Sequence, residues 1–341
     1  MPKENTSKEL KDIPFSVLDL APIIEGGTAA ESFRYSLQLA QKAEEWGFNR
    51  YWVAEHHSMP GIASSATSVV IGYIASGTEN IRVGSGGIML PNHPPLVIAE
   101  QFGSLESMYP GRIDLGLGRA PGTDHITSRA LRRDVKVNGE NFPEQVAELR
   151  GYLDPSLEPY QLNVHAVPGE GLTIPIWLLG SSGFSARLAG ELGLPFSFAS
   201  HFAAENTLPA LDIYRTHFQP SQVLDEPYVM LGANVIIADS EEKANMLATS
   251  QQQQFLSLVR GKPGRLQPPV DDINALMTDY ERLAIKDKLN SSMVGTPSLV
   301  KEKLQSFLDD TGADEIIVNS QIFDHHDRLR SYELLAGIIK E

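Results

Sequence analysis

Short apolar runs alternate with amphipathic helical stretches along the whole chain, and this alternation restricts the fold more than any other feature. Eight runs carry the strand pattern, at residues 15–20, 50–54, 81–90, 113–117, 174–179, 195–199, 228–238 and 315–319. Helical periodicity predicts helices between them, the clearest at 29–47, which ends in a glycine. Eight strands separated by helices are typical of an α/β (β/α)8 TIM barrel, which we predict here. A doubly wound parallel sheet is the alternative.

The length of 341 residues would suffice for two domains of average size. Barrels of this class often exceed ~250 residues as one unit, however. We therefore predict a single barrel domain over 1–341. Insertions are expected near 154–173 and 260–290, because Pro, Gly and polar residues replace the helical pattern there.

Charge and composition exclude several functions. The chain has 28 Lys and Arg against 43 Asp and Glu, a formal net charge of −15. Nucleic acids and anionic membranes are bound through phosphate neutralisation, so neither is expected as a partner. The absence of cysteine excludes disulfides, thiolate nucleophiles and iron–sulfur clusters. No apolar segment approaches 18 residues and the polar start lacks a signal-peptide core, so we predict a cytoplasmic protein.

Three ionisable residues, Glu55, His56 and His57, directly follow the second strand. Active-site residues of a barrel lie where strands end, so we predict that one of these imidazoles faces the barrel mouth and donates a hydrogen bond or moves a proton. The alternative is a surface loop in which a histidine binds the carboxylate. A metal site built from His56, His57 and His93 has no further ligand spacing to support it, so no metal is predicted.

Small residues and one arginine follow the next two strands. Gly86 and Gly87 end the third strand, where glycine lets the backbone approach a flat ligand closely, although a simple bend would explain them equally well. Arg119 ends the fourth strand. Its guanidinium group can form a bidentate pair of hydrogen bonds with a phosphate or a carboxylate of a ligand. A structural salt bridge is the alternative.

The segment after the fifth strand has the composition of an anion site. Its residues are Gly180, Ser181, Ser182, Gly183 and Phe184. Free N–H groups at a helix start bind anions together with the helix dipole, whereas ordinary N-capping by Ser182 would need no ligand. Because Arg119 offers a matching charge from another strand, we predict a phosphate site and a phosphorylated cofactor.

Five stretches, in register, closely resemble the bacterial-luciferase-like family of flavin-dependent monooxygenases, in its subgroup of uncharacterised luciferase-like oxidoreductases. They are YWVAEHHS, GSGGIMLPNHPP, YPGRIDLGLGRAPG, GSSGFSARLAGELGLPFSFA and VGTPSLVKEKL. The resemblance runs from about Phe15 to Ala336. It implies a barrel that binds reduced FMN at the carboxyl ends of its strands and oxygenates a small organic substrate with O2. A separate NAD(P)H-dependent flavin reductase would supply the reduced FMN.

The resemblance also implies roles for individual residues. His56 matches the catalytic histidine of the family, with Glu55 and His57 as its neighbours. Gly86-Gly87 matches a non-proline cis peptide bond beneath the flavin ring. Arg119 matches the phosphate arginine, and residues 180–184 match a second phosphate-binding segment.

Two positions depart from true luciferases. Gly118 stands where they carry a cysteine that faces the flavin, and Gly180 replaces a glutamate. Light emission is therefore not expected, and the deazaflavin F420 is the alternative cofactor. The competing functions are an F420-dependent dehydrogenase on the same fold, a non-catalytic flavin-binding protein and a metal-dependent barrel hydrolase.

Water must be excluded from a site where reduced flavin meets O2. The candidates for an apolar lining are Phe15, Trp52, Met89, Trp177 and Phe198, with plain barrel core as the alternative. The helical stretches at 64–76 and 96–108 carry few charges for outer helices, and surfaces so apolar usually meet a partner. Because members of the family pair through these two helices, the resemblance predicts a homodimer.

Overall fold

Parallel strands form the centre of the molecule. The computed structural model describes residues 8–120, 124–131, 139–157 and 163–340. The strands are β1 (Phe15–Asp19), β2 (Arg50–Val53), β3 (Arg82–Met89), β4 (Ile113–Gly118), β5 (Ile176–Gly180), β6 (Phe196–Phe198), β7 (Val229–Ile237), β8 (Met293–Gly295) and β9 (Glu315–Asn319).

Eight of these strands close into a barrel. Each of β1 to β6 pairs with the next strand in sequence, β6 pairs with β7, β7 with β9, and β9 returns to β1. All these pairings are parallel, as right-handed strand–helix–strand connections require. The short β8 pairs with the carboxyl-terminal part of β7, where Val235 is opposite Met293. The predicted (β/α)8 TIM barrel in a single domain is confirmed.

Helices surround the barrel. Those in the described residues are α1 (Ala29–Trp46), α2 (Thr67–Ser76), α3 (Pro95–Met108), α4 (His125–Leu131), α5 (Phe142–Leu153), α6 (Gly183–Glu191), α7 (Thr207–His217), α8 (Glu241–Val259), α9 (Asp279–Lys288), α10 (Pro297–Thr311) and α11 (His325–Ile338). Local signals set their ends. In α1, Thr28 and Glu31 form a reciprocal capping box, and Gly47 ends the helix in the left-handed region at φ 85°.

Three elements, α4, α9 and β8, were not predicted from the sequence. Helix α9 lies inside the predicted 260–290 insertion and buries one residue, Ile285, so it carries no apolar periodicity that a sequence pattern could detect. Strand β8 spans three residues. In the 154–173 insertion the structure describes turns on either side of residues 158–162, which lie outside the described residues.

Three apolar clusters of described residues hold these layers together, and the smallest joins Ile236 of β7 with Leu247 of α8. The largest cluster packs the outer faces of the strands against the helices. A second cluster fills the barrel interior, with Trp52, Trp177 and Met230 as its largest buried members. Among the described helices, none combines the length and the apolar character that crossing a bilayer requires.

Candidate functional site

A cavity of about 620 Å³ opens at the carboxyl ends of the barrel strands. All eight barrel strands, or the residues just after them, contribute to its wall: Leu18, His56, Met89, Arg119, Leu179, Phe198, Asn234 and Asn319. Of the five apolar candidates, Trp52, Met89 and Phe198 line the cavity. Phe15 belongs to the outer core and Trp177 to the barrel interior, so the core interpretation holds for these two.

Glu55 anchors the loops that follow β2 and β3. Its fully buried carboxylate accepts hydrogen bonds from the Met89 amide at 3.0 Å and the Asn92 Nδ2 at 3.3 Å. The Nε2 atoms of His57 and His93 lie 2.8 and 2.9 Å from its Oε1. Burial opposes ionisation of Glu55, yet the contacts with His93, Met89 and His57 outweigh it and hold the pKa of this carboxyl below its usual range.

His56 points away from this carboxylate cluster and lines the cavity. Its backbone N–H donates to the Ser64 carbonyl at 3.1 Å, which fixes the loop. Burial lowers the pKa of the His56 imidazole, so the ring is neutral at pH 7. Its Nδ1 is buried and has no hydrogen-bond partner among the residues that the structure describes. The three adjacent residues therefore separate, with His56 at the cavity and His57 against Glu55.

A possible cation site exists beside the cavity but differs from the set considered from the sequence. Ligand atoms of Glu55, His57 and His93 lie within 4.8 Å of one another. His56 is not part of that group, so the set His56, His57 and His93 is not brought together. The hydrogen bonds that Glu55 already accepts account for the arrangement without an ion.

Glycines bring the backbone to the cavity surface between β3 and β4. The Gly86-Gly87 peptide bond is cis. A Cβ at Gly86 would lie 2.8 Å from Leu18 Cδ1, and one at Gly87 would lie 2.8 Å from the Gly116 carbonyl oxygen. At Gly118, where luciferases carry cysteine, a Cβ would lie 2.7 Å from the Met89 sulfur. Gly86 and Gly118 line the cavity and Gly87 lies behind them, so side chains are excluded from part of a surface that a flat ring can approach.

Arg119 and the start of α6 meet at the cavity edge. The Arg119 guanidinium carbon lies 4.3 Å from the centre of the Phe184 ring. Ser182 is extended at the N-cap, but its side chain makes no capping hydrogen bond, so ordinary capping does not explain this helix start. Within the described parts of the chain Arg119 forms no ion pair, so the structural salt bridge is also absent. Gly180, Ser181 and Ser182 line the cavity beside it.

Sequence reasoning missed the opposite side of the cavity. His201, Asn234, Asn319 and Gln321 line it from β6, β7 and β9. Their positions at or just after the strand ends were the available signal, because active-site residues of a barrel lie there. No motif singled them out: Asn234 is a single polar residue in an apolar strand, and Ser200-His201 and Asn319-Ser320-Gln321 match no known functional spacing.

Comparison with known proteins identifies the family. The sequence profile of luciferase-like monooxygenases matches residues 13–315. The chain belongs to the luciferase-like monooxygenase family. An Escherichia coli luciferase-like monooxygenase is 54% identical over 97% of this chain and 98% of its own length. The N-acetyl-S-alkylcysteine monooxygenase of Bacillus subtilis is 32% identical over 96% of this chain and 98% of its own length.

Solved structures agree with this assignment. The structure of apo-MsnO8 superposes with a TM-score of 0.89 at 36% identity, covering 96% of this chain and 98% of that one. More distant structures show the shared fold alone. They include a Baeyer–Villiger monooxygenase component in complex with FMN (TM-score 0.71, 18% identity) and an F420-dependent secondary alcohol dehydrogenase (TM-score 0.70, 14% identity).

Proposed function

We propose that this protein is an FMN-dependent monooxygenase that uses reduced flavin and O2 to oxygenate a small organic substrate. The observation that carries the proposal is the pairing of Arg119 with the open start of α6 on one side of the cavity. A phosphorylated ligand fits this pairing, because a guanidinium group and free helix N–H groups both favour an anion. The chain's membership of a monooxygenase family supports the reaction class.

The cavity residues fit FMN in two respects. The closely packed glycines at 86 and 118, which line the cavity, leave a smooth backbone surface for the isoalloxazine ring. Arg119 and residues 180–184 would hold the phosphate. Bound reduced flavin supplies the electrons that activate O2 for transfer to the substrate.

The protein's own residues would bind the flavin, shield it from water and transfer protons during the reaction. Leu18, Trp52 and Met89 provide apolar surface that keeps water from the flavin ring. His56 is neutral, and because its Nδ1 is buried, the atom that it offers to the cavity is Nε2. A neutral imidazole there would donate or accept a proton during oxygenation. Glu55 has a positioning role, because its carboxylate connects the loop that carries His56 to the loop after β3.

The N-acetyl-S-alkylcysteine monooxygenase among the relatives supports oxygenation as the reaction type. The FMN complex on this fold supports the cofactor. F420-dependent dehydrogenation remains the alternative, because the same fold also serves an F420-dependent alcohol dehydrogenase.

Anaerobic binding of reduced FMN and reduced F420, followed by mixing with O2, tests the proposal. We expect tight binding of reduced FMN, and reoxidation of the bound flavin at least about tenfold slower than that of free flavin, because the cavity excludes water. His56→Ala should change the reoxidation rate, whereas His165→Ala, at an exposed histidine, should not. F420 binding without O2 consumption would instead indicate a dehydrogenase. Stable storage of reduced FMN in air, whatever substrate is added, would indicate a binding protein.

We also propose a homodimer and a separate NAD(P)H-dependent flavin reductase as partners. The dimer would form through α2 and α3, where Val69, Tyr73 and Met108 are exposed at 70%, 41% and 58%. Light scattering at micromolar concentration should give twice the chain mass, and Val69→Glu combined with Met108→Glu should give the monomer. A wild-type monomer would contradict the dimer. Failure of an NADH-driven flavin reductase to support turnover, where photoreduced FMN does, would contradict the reductase.

A further inference from the structure

The cavity has a second wall that the proposed phosphate and flavin-ring residues leave unused. It is formed at the carboxyl ends of β6, β7 and β9, which are consecutive in the barrel. In this ring of eight strands, β7 lies opposite β3 and β9 lies opposite β4. The second wall therefore faces the strands that carry Gly86 and Arg119. Its polar members are Ser197, His201, Asn234, Asn319 and Gln321.

The fold builds a specific place for the His201 ring. The Asn234 Nδ2 donates to the His201 carbonyl at 2.6 Å, which fixes the backbone after β6. The ring packs edge-to-face on Phe202 with centroids 4.7 Å apart. It also fills the space over Gly232, where a Cβ would lie 2.2 Å from the His201 Nδ1. Any side chain at position 232 would collide with the imidazole in this position.

The His201 imidazole keeps unused hydrogen-bonding capacity. Its Nδ1 is buried against Gly232 and has no partner in the described part of the chain, so Nε2 is the atom that it can offer to a ligand. Burial lowers the pKa of His201 to about 4, so the ring is neutral at pH 7 and carries one N–H and one lone pair. Such a ring can bond to a polar group but cannot compensate a full charge.

Two amides extend this wall. Asn319 and Gln321 are 5% and 6% exposed, and both line the cavity. The Asn319 Nδ2 donates to the Asn234 Oδ1 at 3.1 Å, which leaves the Asn319 Oδ1 for another partner. The Gln321 amide makes no hydrogen bond to the residues that the structure describes. Both groups line the cavity, so the Asn319 Oδ1 and the Gln321 amide can be reached by a ligand that forms hydrogen bonds with them.

The wall is polar but uncharged. Among the described residues that line the cavity there is no Asp or Glu, in a protein of net charge −15. The cationic residues of the lining are Arg119, on the opposite side, and Lys288, which is exposed at the end of α9. The cavity-lining residues at the ends of β6, β7 and β9 themselves offer a ligand hydroxyl, imidazole and amide groups and no charged side chain.

We propose that this wall is the substrate subsite and that it binds the neutral oxygen of a small, mostly apolar carbonyl or hydroxyl compound. His201 and Gln321 donate to or accept from that oxygen, and Gly232 and Asn234 hold His201 in place. The apolar remainder of the substrate packs on the surrounding cavity wall, of which Phe198 is part. This inference rests on the proposed function, because it assigns the opposite wall to FMN.

Three probes test the wall directly: cyclohexanone, cyclohexanecarboxylate and cyclohexylammonium. They share a six-membered carbon ring and differ in the charge of the polar group, which is neutral, negative or positive. Their affinities for the FMN-loaded protein are measured by calorimetry on the wild type, Gln321→Leu and His201→Phe. We expect cyclohexanone to bind at least about tenfold tighter than either ion. Each substitution should weaken the binding of cyclohexanone about tenfold, which is the size of one lost hydrogen bond to a buried group. The affinity for FMN should stay within about twofold of wild type.

Two further variants separate the subsite from general damage. Gly232→Ala should reproduce the effect of His201→Phe, because it displaces the ring. Gln41→Leu, which removes a surface amide of α1, should leave every probe affinity unchanged. Urea midpoints of all variants identify any that fail to fold, and a misfolded variant is replaced by Gln321→Met or His201→Leu at the same position.

Some results would overturn the inference. They are tighter binding of cyclohexanecarboxylate than of cyclohexanone, no binding of cyclohexanone to the FMN-loaded wild type, or cyclohexanone affinities within twofold of wild type in both wall variants. The proposed function fails separately. If cyclohexanone discrimination persists while reduced FMN gives no O2 consumption, the monooxygenase proposal is wrong and the subsite stands.

Discussion

The two ends of the barrel treat buried polar groups in opposite ways. At the amino end, the Arg50 Nε lies 2.8 Å from the Glu315 carboxylate and its Nη1 lies 2.7 Å from Asp114, which Arg82 also contacts at 2.6 Å. At the carboxyl end, imidazole and amide groups around the cavity include atoms that have no partner among the described residues. One end thus uses its polar groups to close a network, while the other leaves polar atoms available, as our proposed ligand site requires.

Trp52 separates the two ends. Its indole Nε1 donates to Asp114 at 3.0 Å, so it completes the ion network below. The same side chain lines the cavity above. Trp177 covers the Arg50 guanidinium group, whose carbon lies 4.8 Å from the ring centre. Arg50 and Arg82 balance Asp114 and Glu315 in charge, so the buried network is compensated as a unit.

The largest effect is expected at the amino end. Glu315→Leu leaves Arg50 buried beside Asp114 alone, and breaking a buried pair in this way costs about 3–5 kcal/mol of unfolding free energy. Urea denaturation measures the loss. FMN affinity of the protein that remains folded should stay within about twofold of wild type, since the cavity groups are untouched. A loss below about 1 kcal/mol would show that the network is not a closed unit.

At the cavity end, Arg119→Ala should affect binding and leave stability nearly unchanged. Losing a charge-assisted contact to phosphate costs about 2–3 kcal/mol, or about thirtyfold to more than a hundredfold in FMN affinity. Riboflavin lacks the phosphate, so its affinity should not change. Fluorescence titration with both flavins makes the comparison. Equal losses for FMN and riboflavin would place Arg119 away from the phosphate.

The pH dependence of stability distinguishes the ends further. His201 has a pKa of about 4 in the folded protein against about 6.5 when unfolded, so the unfolded chain alone binds this proton between those values. The stability that the neutral ring permits is complete above pH 6.5 and decreases as pH falls. Between pH 7 and pH 5, the unfolding free energy of His201→Phe should fall by about 2 kcal/mol less than that of the wild type. Parallel curves for the two proteins would show that His201 titrates normally. His325, which also has a lowered pKa, remains in both.

The smallest effect is expected at the edge of the ion network. Tyr228→Phe removes one hydroxyl that donates to Glu315 at 3.1 Å. Glu315 keeps its bonds from Arg50 and Asn49, so we expect a stability loss of about 1 kcal/mol. The thermal midpoint should fall by a few degrees, with no change in flavin affinity. A loss as large as that of Glu315→Leu would mean that the hydroxyl, and not the ion pair, holds the network together.

Much of the fold could be predicted from local pattern. Apolar strand runs and amphipathic helices repeat regularly enough to identify all eight barrel strands. The cofactor side of the cavity also carries dense local signals, because Gly86-Gly87 and the segment at 180–184 are runs of unusual residues. Helix α9 gave no such signal, since one buried residue does not make a periodic face.

The ion network and the opposite wall escaped prediction for a different reason. Arg50, Asp114 and Glu315 are separated by 64 residues or more and meet because parallel strands bring their amino ends together. No sequence pattern near any of these three residues indicates which residues it contacts. The same holds for His201, whose space over Gly232 exists only because β6 and β7 are neighbours.

The sequence by itself determined the strand and helix rhythm, the glycines that keep side chains off one cavity surface, and the candidate phosphate residues. These depend on local conformation and on short-range spacing. Only the tertiary structure decided which histidine faces the cavity and which binds Glu55. It also decided which buried polar groups find partners and which stay open to a ligand. Those outcomes depend on barrel closure, which brings together residues that are far apart in the chain.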